Sequence, residues 1–271
     1  MTAAGEAIAA IGDNTIDEYL GPDPHSFVGG NALNVAVQVA LLGRPARYFG
    51  AVGPDAEGDR VRDTLTRIGV DVAGLVTVPG RTSVSRIRID PSGDRHFESE
   101  DFAVCADYAP SPEALELAAG CPAAHIGMLP NAAPVRAWLA SRGVLVSQDC
   151  SVTSGYTNLD IAFCSQAATG GPASAIAQAA VAGGARLAVV TCGADGSMAH
   201  DGRTWWHADA VPVEAVDTTG AGDSYAAAFL DAWISGADVD QAMAAGSAAA
   251  ARTCSHHGGW PQDGLASQRP T

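Results

Sequence analysis

The sequence predicts an α/β fold in which a mostly parallel sheet is covered by helices on both faces. Short apolar runs alternate along the chain with Ala-rich stretches that have helical periodicity. The runs are continuously apolar, which is typical of parallel strands buried on both faces. Alternation of such strands with helices is the arrangement that builds a parallel sheet between two helical layers.

The elements follow one another in a regular order. The predicted strands cover residues 7–11, 46–52, 123–126, 144–147, 161–164 and 187–191. The predicted helices cover residues 32–42, 56–68, 132–141 and 173–182, and two closing helices lie near 221–235 and 239–253. With 271 residues, 47% of them hydrophobic, the chain has enough material for one well-buried domain, which we expect to span 1–271.

One segment departs from this order. Residues 82–97 alternate in polarity around a Pro-Ser-Gly-Asp turn, which predicts a strand, a turn and a second strand. A hairpin inserted into an α/β chain can be a flap over a site, or it can be an ordinary surface hairpin. The pattern alone leaves both open.

Composition excludes several partners and mechanisms. The formal net charge is −15, which repels nucleic acids and anionic membrane surfaces, so we expect neither as a partner. The 15 basic residues are all arginine. Without lysine the chain lacks the catalytic amine of Schiff-base enzymes and the phosphate-binding lysine of Walker A loops and protein kinases. Phosphate chemistry would therefore depend on backbone amides, arginines and metal.

The sequence also indicates a compartment. No run approaches the roughly 20 apolar residues that cross a bilayer, and the N-terminus lacks the basic start of a secretory signal. The six cysteines include no C-x-x-C pair, which favours reduced thiols over a zinc site. We expect a cytoplasmic protein.

The strongest motif is Asp-Thr-Thr-Gly-Ala-Gly-Asp-Ser at 217–224, which runs into an apolar helix. Its glycines can turn tightly and expose N–H groups, and the helix that follows adds the positive end of its dipole. Gly220, Ala221 and Gly222 are therefore candidates for an anion hole suited to a transferring phosphoryl group. Asp223, beside it, could accept the proton of an attacking hydroxyl.

Two other interpretations of this motif stay open at this point. Asp223 could simply cap the helix and the glycines could simply form a turn. Alternatively, Ser224 could be a nucleophile, since 222–226 nearly fits G-x-S-x-G. The last position is alanine, however, and the His-Gly-Gly run at 257–259 follows the serine instead of preceding it, which disfavours a hydrolase.

The motif at 217–224 resembles the C-terminal signature of the ribokinase (PfkB-type) carbohydrate kinases. Gly-Gly-Asn-Ala-Leu-Asn-Val-Ala-Val at 29–37 resembles their N-terminal signature, and 53–58 and 65–70 resemble the stretch that follows it. The likeness runs from about residue 8 to about residue 260. It implies a ribokinase-like three-layer α/β/α sandwich with a small β lid formed near 15–28 and 82–97. It also implies ATP-dependent phosphorylation of a sugar hydroxyl.

The resemblance implies a role for each matching residue. Asp223 would be the base, next to an anion hole formed by Gly220, Ala221 and Gly222. The residues implied to bind the sugar are Asp13, Asn14, Gly29, Gly30, Asn31 and Asn34. Those implied to bind ATP are Thr191, Gly193, Gly196 and His256, and those implied to hold a monovalent cation such as K⁺ are Asp217 and Thr219. For Asp13 and Asn34, the residues alone equally suggest turn or capping duty.

One departure from the family pattern concerns the metal. The family usually carries N-x-x-E after a central strand, where it helps to organise Mg²⁺ and phosphates. Here the residues after Phe163 are Cys-Ser-Gln-Ala-Ala-Thr-Gly-Gly, without a carboxylate. We therefore assign no side chain to the metal and expect Mg²⁺ to be held by ATP and water. The departure leaves open a sugar- or nucleotide-binding sensor with little activity.

Within the family, three features resemble the fructoselysine 6-kinase branch: Ile-Gly-Asp-Asn at 11–14, Asn31, and His-His-Gly-Gly-Trp at 256–260. The expected substrate is therefore a fructosamine such as fructoselysine, whereas other sugars and nucleosides stay open. Arg86 and Arg88 of the hairpin could meet a substrate carboxylate or simply be solvated. The resemblance also implies a homodimer formed through the lid.

Overall fold

The computed structural model describes residues 6–20, 24–89 and 95–262. Its strands are β1 (Ile8–Ile11), β2 (Thr15–Leu20), β3 (His25–Gly29), β4 (Ala46–Val52), β5 (Asp71–Thr77), β6 (Val84–Ile89), β7 (Arg95–Asp101), β8 (Ala123–Ile126), β9 (Leu145–Asp149), β10 (Ile161–Ser165), β11 (Leu187–Thr191), β12 (Ser197–His200) and β13 (Trp205–Ala208). Its helices are α1 (Asn31–Leu41), α2 (Ala56–Ile68), α3 (Pro112–Ala119), α4 (Ala132–Ser141), α5 (Gln166–Thr169), α6 (Ala173–Ala182), α7 (Ala221–Ile234) and α8 (Val239–Thr253).

The large sheet has the strand order β13-β12-β11-β10-β9-β8-β1-β4-β5. From β5 to β11 every neighbouring pair is parallel, and β12 and β13 continue the sheet in antiparallel pairing. The carboxyl ends of the parallel strands therefore lie along one edge, where ligands of open α/β sheets bind.

Two apolar cores separate the three layers. Strand β1 is central and buried, and its side chains alternate between the cores: Ile8 and Ala10 face one, Ala9 and Ile11 the other. The first core packs the sheet against α1, α2, α7 and α8. The second packs it against α3, α4 and α6. The three-layer α/β/α sandwich expected from the sequence is confirmed.

A second, small sheet has the order β3-β2-β6-β7 and is formed by the two segments predicted as a lid. Strand β2 pairs antiparallel with β3 and parallel with β6, and β6 pairs antiparallel with β7. The predicted hairpin at 82–97 is present, but its second strand runs on to Asp101. The predicted turn at 90–94 lies outside the described residues.

The predicted strand at 144–147 was placed too early along the chain. Strand β9 runs from Leu145 to Asp149, so its last residue is a carboxylate at the edge where the other parallel strands end. Strand β10 likewise ends one residue later than predicted, at Ser165. Within the described ranges, no helix is both long and apolar enough to cross a membrane.

Candidate active site

Asp223 lies in the first turn of α7 and does not cap it. The residue before the helix is Gly220, in the left-handed region with φ of 72°, and no side chain within the described residues caps this end. Instead, the carboxylate of Asp223 accepts the side-chain amides of Asn31 at Oδ1 and Asn34 at Oδ2, both at 2.7 Å. The capping interpretation of Asp223 is therefore wrong.

Gly220 has to be glycine because of what lies against it. A Cβ at this position would stand 2.6 Å from Gly259 Cα, and the positive φ would strain any other residue. A Cβ at Gly222 would meet nothing within 4 Å, so the backbone there is open to an incoming group. The hydroxyl of Ser224 is buried and donates to Ala221 O, so this serine is not placed to act as a nucleophile.

Asn31 joins two carboxylates. Its side-chain nitrogen donates to Asp223 Oδ1 and also to Asp149 Oδ2, both at 2.7 Å. The side-chain oxygens of Asn31 and Asn34 are buried and accept a hydrogen bond from no group that the structure describes. Because buried acceptors are normally satisfied, these two oxygens are acceptors that a sugar hydroxyl could use once the side chains expose them.

Asp13 is held by three backbone N–H groups. Its Oδ2 accepts Asn31 N at 2.8 Å, and its Oδ1 accepts Ala32 N at 3.1 Å and Met128 N at 3.2 Å. The carboxylate therefore satisfies the start of α1, which is the capping duty that its residue type suggested. A carboxylate has about four acceptor sites, so Asp13 keeps capacity for a sugar hydroxyl.

At two of the predicted sugar-binding positions, 14 and 30, contacts within the protein explain why the residue found there is needed. Asn14 is fully buried, and its amide donates to Tyr48 Oη at 3.1 Å and to Ala51 O at 2.8 Å. These bonds give Asn14 a structural role, and its contact with a sugar stays a prediction. At Gly30, with φ of 115°, a Cβ would collide with Asn14 Cα, so glycine is required by the protein's own packing.

Packing within the protein also requires glycine at position 29. A Cβ there would collide with the carboxylate of Asp17 in the neighbouring strand β2. Whether the backbone at 29–30 also contacts a sugar stays a prediction.

Burial raises the pKa values of three carboxyl groups at the site, and at Asp223 the charges of neighbouring carboxylates add to the effect. Burial raises the pKa of Asp223 well above its ordinary value; the Asn34 hydrogen bond opposes this shift, and the charges of Asp149, Asp13 and Asp17 add to it. Burial also raises the pKa of Asp149 and of Asp13, although the hydrogen bonds that each carboxylate accepts act to lower it. A raised pKa suits a carboxylate that must take up a proton near neutral pH.

Asp149 was missed by the sequence reasoning. It lies in a cavity together with Asp223, Gly222 and Thr191, between the start of α7 and the ends of β10 and β11. Its Oδ1 accepts Ser151 N at 2.8 Å, while Asn31 holds its Oδ2. Asp149 belongs to no recognisable sequence motif. The predicted strand ended at residue 147, two residues before the true end of β9, so the sequence did not place Asp149 at the edge of the sheet.

The predicted nucleotide residues fall into different surroundings. Thr191 lines the cavity beside Gly222. A Cβ at Gly193 would meet nothing within 4 Å, so a ligand can approach it, whereas one at Gly196 would collide with Ala208 O. Gly196 is therefore required by packing against 208–210. His256 Nδ1 lies 3.1 Å from His257 O, and its contact with ATP stays a prediction.

Asp217 and Thr219, predicted to hold a monovalent cation, are bonded to each other and to the small sheet. Asp217 Oδ1 accepts Thr219 N at 2.9 Å and Thr219 Oγ1 at 2.6 Å. Its Oδ2 accepts Tyr19 Oη from β2 at 3.1 Å and Gly258 N at 3.0 Å. The cation assignment stays a prediction.

Comparison with known proteins identifies the family. The model of the pfkB family of carbohydrate kinases matches residues 3–117 and 157–262. A fructoselysine 6-kinase of Shigella flexneri is 35% identical over 263 residues, which cover 94% of this chain and 100% of the relative. A fructosamine kinase of Bacillus subtilis (strain 168) is 28% identical, covering 97% and 98%.

The chain belongs to the pfkB family of carbohydrate kinases. It is a sugar kinase that transfers phosphate from ATP. The fold agrees, since Arabidopsis thaliana ribokinase, solved with ribose and ATP, superposes with a TM-score of 0.83 at 20% identity over 94% of each chain.

The pfkB-family assignment implies Mg²⁺, and the residues of the site fit it. Asp149 and Asp223 bring carboxylate oxygens, the ligands that Mg²⁺ prefers, into the cavity that Gly222 and Thr191 also line. The described residues contain no group of three or more His, Cys, Asp or Glu side chains that could hold a metal ion. One or two carboxylates, with water and phosphate oxygens, are the usual set for Mg²⁺ on a nucleotide. Asp149 is therefore a candidate ligand that the sequence did not suggest, and the expectation that ATP and water hold Mg²⁺ stays a prediction.

The arginines predicted to meet a substrate carboxylate have partners within the small sheet of this pfkB-family kinase. Arg86 pairs with Glu18 at 3.0 Å, and Arg88 pairs with Glu98. Both pairs are substantially exposed, so they are surface ion pairs that stabilise little. Each pair uses the Nε–H of the arginine, so the terminal guanidinium groups keep donors. Recognition of a substrate carboxylate by these arginines stays a prediction.

Proposed function

We propose that the chain phosphorylates the 6-hydroxyl of a fructosamine such as fructoselysine, with ATP as the donor. The substrate class is supported by relatives that are named fructoselysine 6-kinase and fructosamine kinase and that align along nearly the whole chain.

The observation that carries the proposal is the position of Asp223. Its carboxylate lies in the first turn of α7, in one cavity with the open backbone at Gly222, and two asparagine amides hold it. A hydroxyl placed here can give its proton to Asp223 as its oxygen attacks the γ-phosphorus. The bond between the γ-phosphorus and the bridging oxygen of ADP then breaks, and ADP leaves.

Each neighbour of Asp223 has a part in this scheme. The N–H groups of Gly220, Ala221 and Gly222, with the dipole of α7, would stabilise the charge on the transferring phosphoryl group. The side chains of Asn31, Asn34 and Asp13, which the hydrogen bonds to Asp223 and to the start of α1 bring together, would hold the sugar hydroxyls. Asp149 and Asp223 would help to hold the Mg²⁺ that accompanies ATP, and that ion would supply charge neutralisation.

The test is ADP release from ATP and Mg²⁺ against a panel of acceptors. The panel contains fructoselysine, other fructosamines, fructose, ribose, fructose 6-phosphate and adenosine. We expect turnover with fructosamines, and a loss of at least ~100-fold in Asp223→Asn while ATP still binds. Near-normal turnover in that variant would remove Asp223 as the base. Turnover with another acceptor alone would replace the substrate, and silence with ATP bound would favour a sensor.

The remaining assignments belong to the same proposal. The small sheet would act as a lid over the sugar, and its outer strands β3 and β7 would offer the edges for a homodimer, with the oligomeric state measured by light scattering. ATP as donor supports a cytoplasmic location. Stimulation by K⁺ over Na⁺ would test the cation role of Asp217 and Thr219.

A further inference from the structure

A second cavity begins at Asp13 and leads away from the site where phosphoryl transfer is proposed. Its volume is about 610 Å³. Its walls come from three loops: the turn after the small sheet, the loop after β8 with the start of α4, and the loop after β9. The lining side chains that matter below are Asp13, Phe102, Met128, Ala133 and Val152.

The inner end of this cavity is next to Asp223. Asn31 connects the two places, because its backbone N–H binds Asp13 and its side-chain amide binds Asp223. A substrate that presents its reacting hydroxyl to Asp223 and another polar group to Asp13 would therefore point its remaining part into the cavity. The sugar itself does not fill this space, since ligand cavities of 300–1,000 Å³ hold drug-sized molecules.

The residues that line the cavity indicate which kind of substituent it can bind. Phe102, Met128, Ala133 and Val152 give one part of the cavity an apolar surface. The remaining wall is partly polar, with Asn131, Thr153 and Ser154, and the lining includes no arginine or histidine. The charged side chain among the lining residues is Asp13, at the inner end. A secondary ammonium next to the sugar would meet this carboxylate in a charge-assisted contact, and an aliphatic chain beyond it would lie on the apolar surface.

We propose that this cavity binds the amine-linked aliphatic substituent of the sugar, with the ammonium at Asp13 and the chain along Phe102, Met128 and Val152. This inference rests on the proposed fructosamine activity and deepens it. It makes the substituent, in addition to the sugar, a determinant of kcat/KM.

The first test varies the substrate. With the wild-type enzyme, kcat/KM should rise from fructosylmethylamine to fructosylhexylamine by up to about fourfold for each methylene that becomes buried. A hexyl ether of fructose, which has the same length and no charge, should be at least ~10-fold poorer than the amine, as expected for a lost contact between charged groups. Equal values across chain length would overturn the inference.

The second test fills the cavity. Ala133→Trp places an indole in it from an exposed position in the first turn of α4. We expect kcat/KM for fructoselysine to fall at least ~10-fold, with fructose and fructosylmethylamine unchanged. Ala137→Trp is the matched control: it is exposed on the same helix, one turn further on, and does not line the cavity. Val152→Trp provides a second filling variant, with the same expectation.

The outcomes separate the two proposals. Equal losses on fructoselysine and on fructose in both filling variants would overturn this inference while leaving the fructosamine activity intact. A wild-type enzyme that phosphorylates no fructosamine would overturn both. A loss confined to the long substrates in the filling variants, absent from Ala137→Trp, would support the cavity as the substituent site.

Discussion

At the scale of single residues, the site depends on one amide that serves two acids. Asn31 bonds to Asp149 and to Asp223, from which it is separated by 118 and 192 residues in sequence. The motif at 217–224 predicted the base, and the motif at 29–37 predicted that Asn31 and Asn34 are functional. Neither motif could predict that both asparagines point their nitrogens at Asp223, because that depends on how α1 and α7 pack.

Asp149 gives a prediction about pH. The negative charge of Asp149 helps to raise the pKa of Asp223, and a base works only when it is ionised. Asp149→Asn removes that charge, so the pKa of Asp223 falls and the acid limb of kcat/KM moves to lower pH. If Asp149 also helps to hold Mg²⁺, kcat at the optimum should fall about 10- to 100-fold.

The measurement is a pH profile of kcat/KM with a matched variant. Asp160→Asn makes the same change near the opposite ends of the strands, where Asp160 binds Val146 N and Arg186. We expect its acid limb to coincide with that of the wild type. An unmoved limb in Asp149→Asn would show that the charge of Asp149 does not act on the base.

At the scale of elements, the sequence predicted helix and strand boundaries most accurately where hydrophobic periodicity and helix-capping residues agree. Helix α2 was predicted with correct ends, since Asp55 accepts Gly58 N at its start and Gly69 takes the left-handed conformation at its end. Strands β5, β12 and β13 were missed; β5 and β13 are edge strands with partly exposed side chains, so their sequences are not continuously apolar. Helix α3 was missed although Ser111 and Pro112 form a recognisable start.

The hydroxyl of Tyr19 connects the small sheet to the motif before α7, and this contact gives a second prediction. Tyr19 Oη in β2 donates to Asp217 Oδ2, while the Tyr19 ring stacks on His25 with 4.9 Å between centroids. Tyr19→Phe keeps the ring and removes the bond to a carboxylate, which stabilises by about 1.5–3 kcal/mol. We expect the sugar KM to rise about 10-fold with little change in the ATP KM, and faster hydrogen exchange in β2 and β3.

A matched change tests whether the hydroxyl is responsible. Tyr108 is also buried, but its Oη has no hydrogen-bond partner among the described residues, so Tyr108→Phe should leave both KM values unchanged. Equal effects on sugar and ATP in Tyr19→Phe would contradict a role of this bond in holding the small sheet over the sugar.

At the scale of the whole molecule, the site works against the stability of the fold. The chain carries a net charge of −15. Asp13 and Asp223 are buried, Asp149 is partly buried, and all three have raised pKa values. A carboxyl group whose pKa is raised on folding stabilises the folded state at low pH, and that contribution is lost as the pH rises through its folded pKa. At neutral pH and above, these acids therefore destabilise the fold that positions them.

Asp149→Asn should consequently make the enzyme slower and more stable, because the amide keeps the shape without the charge. At pH 8 we expect its Tm to exceed that of the wild type by about 2–4 °C for each kcal/mol gained. The difference should shrink as the pH falls through the folded pKa of Asp149, because a protonated aspartate is as neutral as asparagine. Carboxyl groups with lowered pKa values, such as Asp55, are ionised in both the folded and the unfolded protein above about pH 5. They therefore add no pH dependence to the stability above that pH. Calorimetry from about pH 4, the ordinary pKa of an aspartate, to pH 8 measures the difference, with Asp160→Asn as the control that should gain nothing. A difference that does not shrink towards the acid end of this range, or a Tm below that of the wild type at pH 8, would contradict the electrostatic origin of the effect.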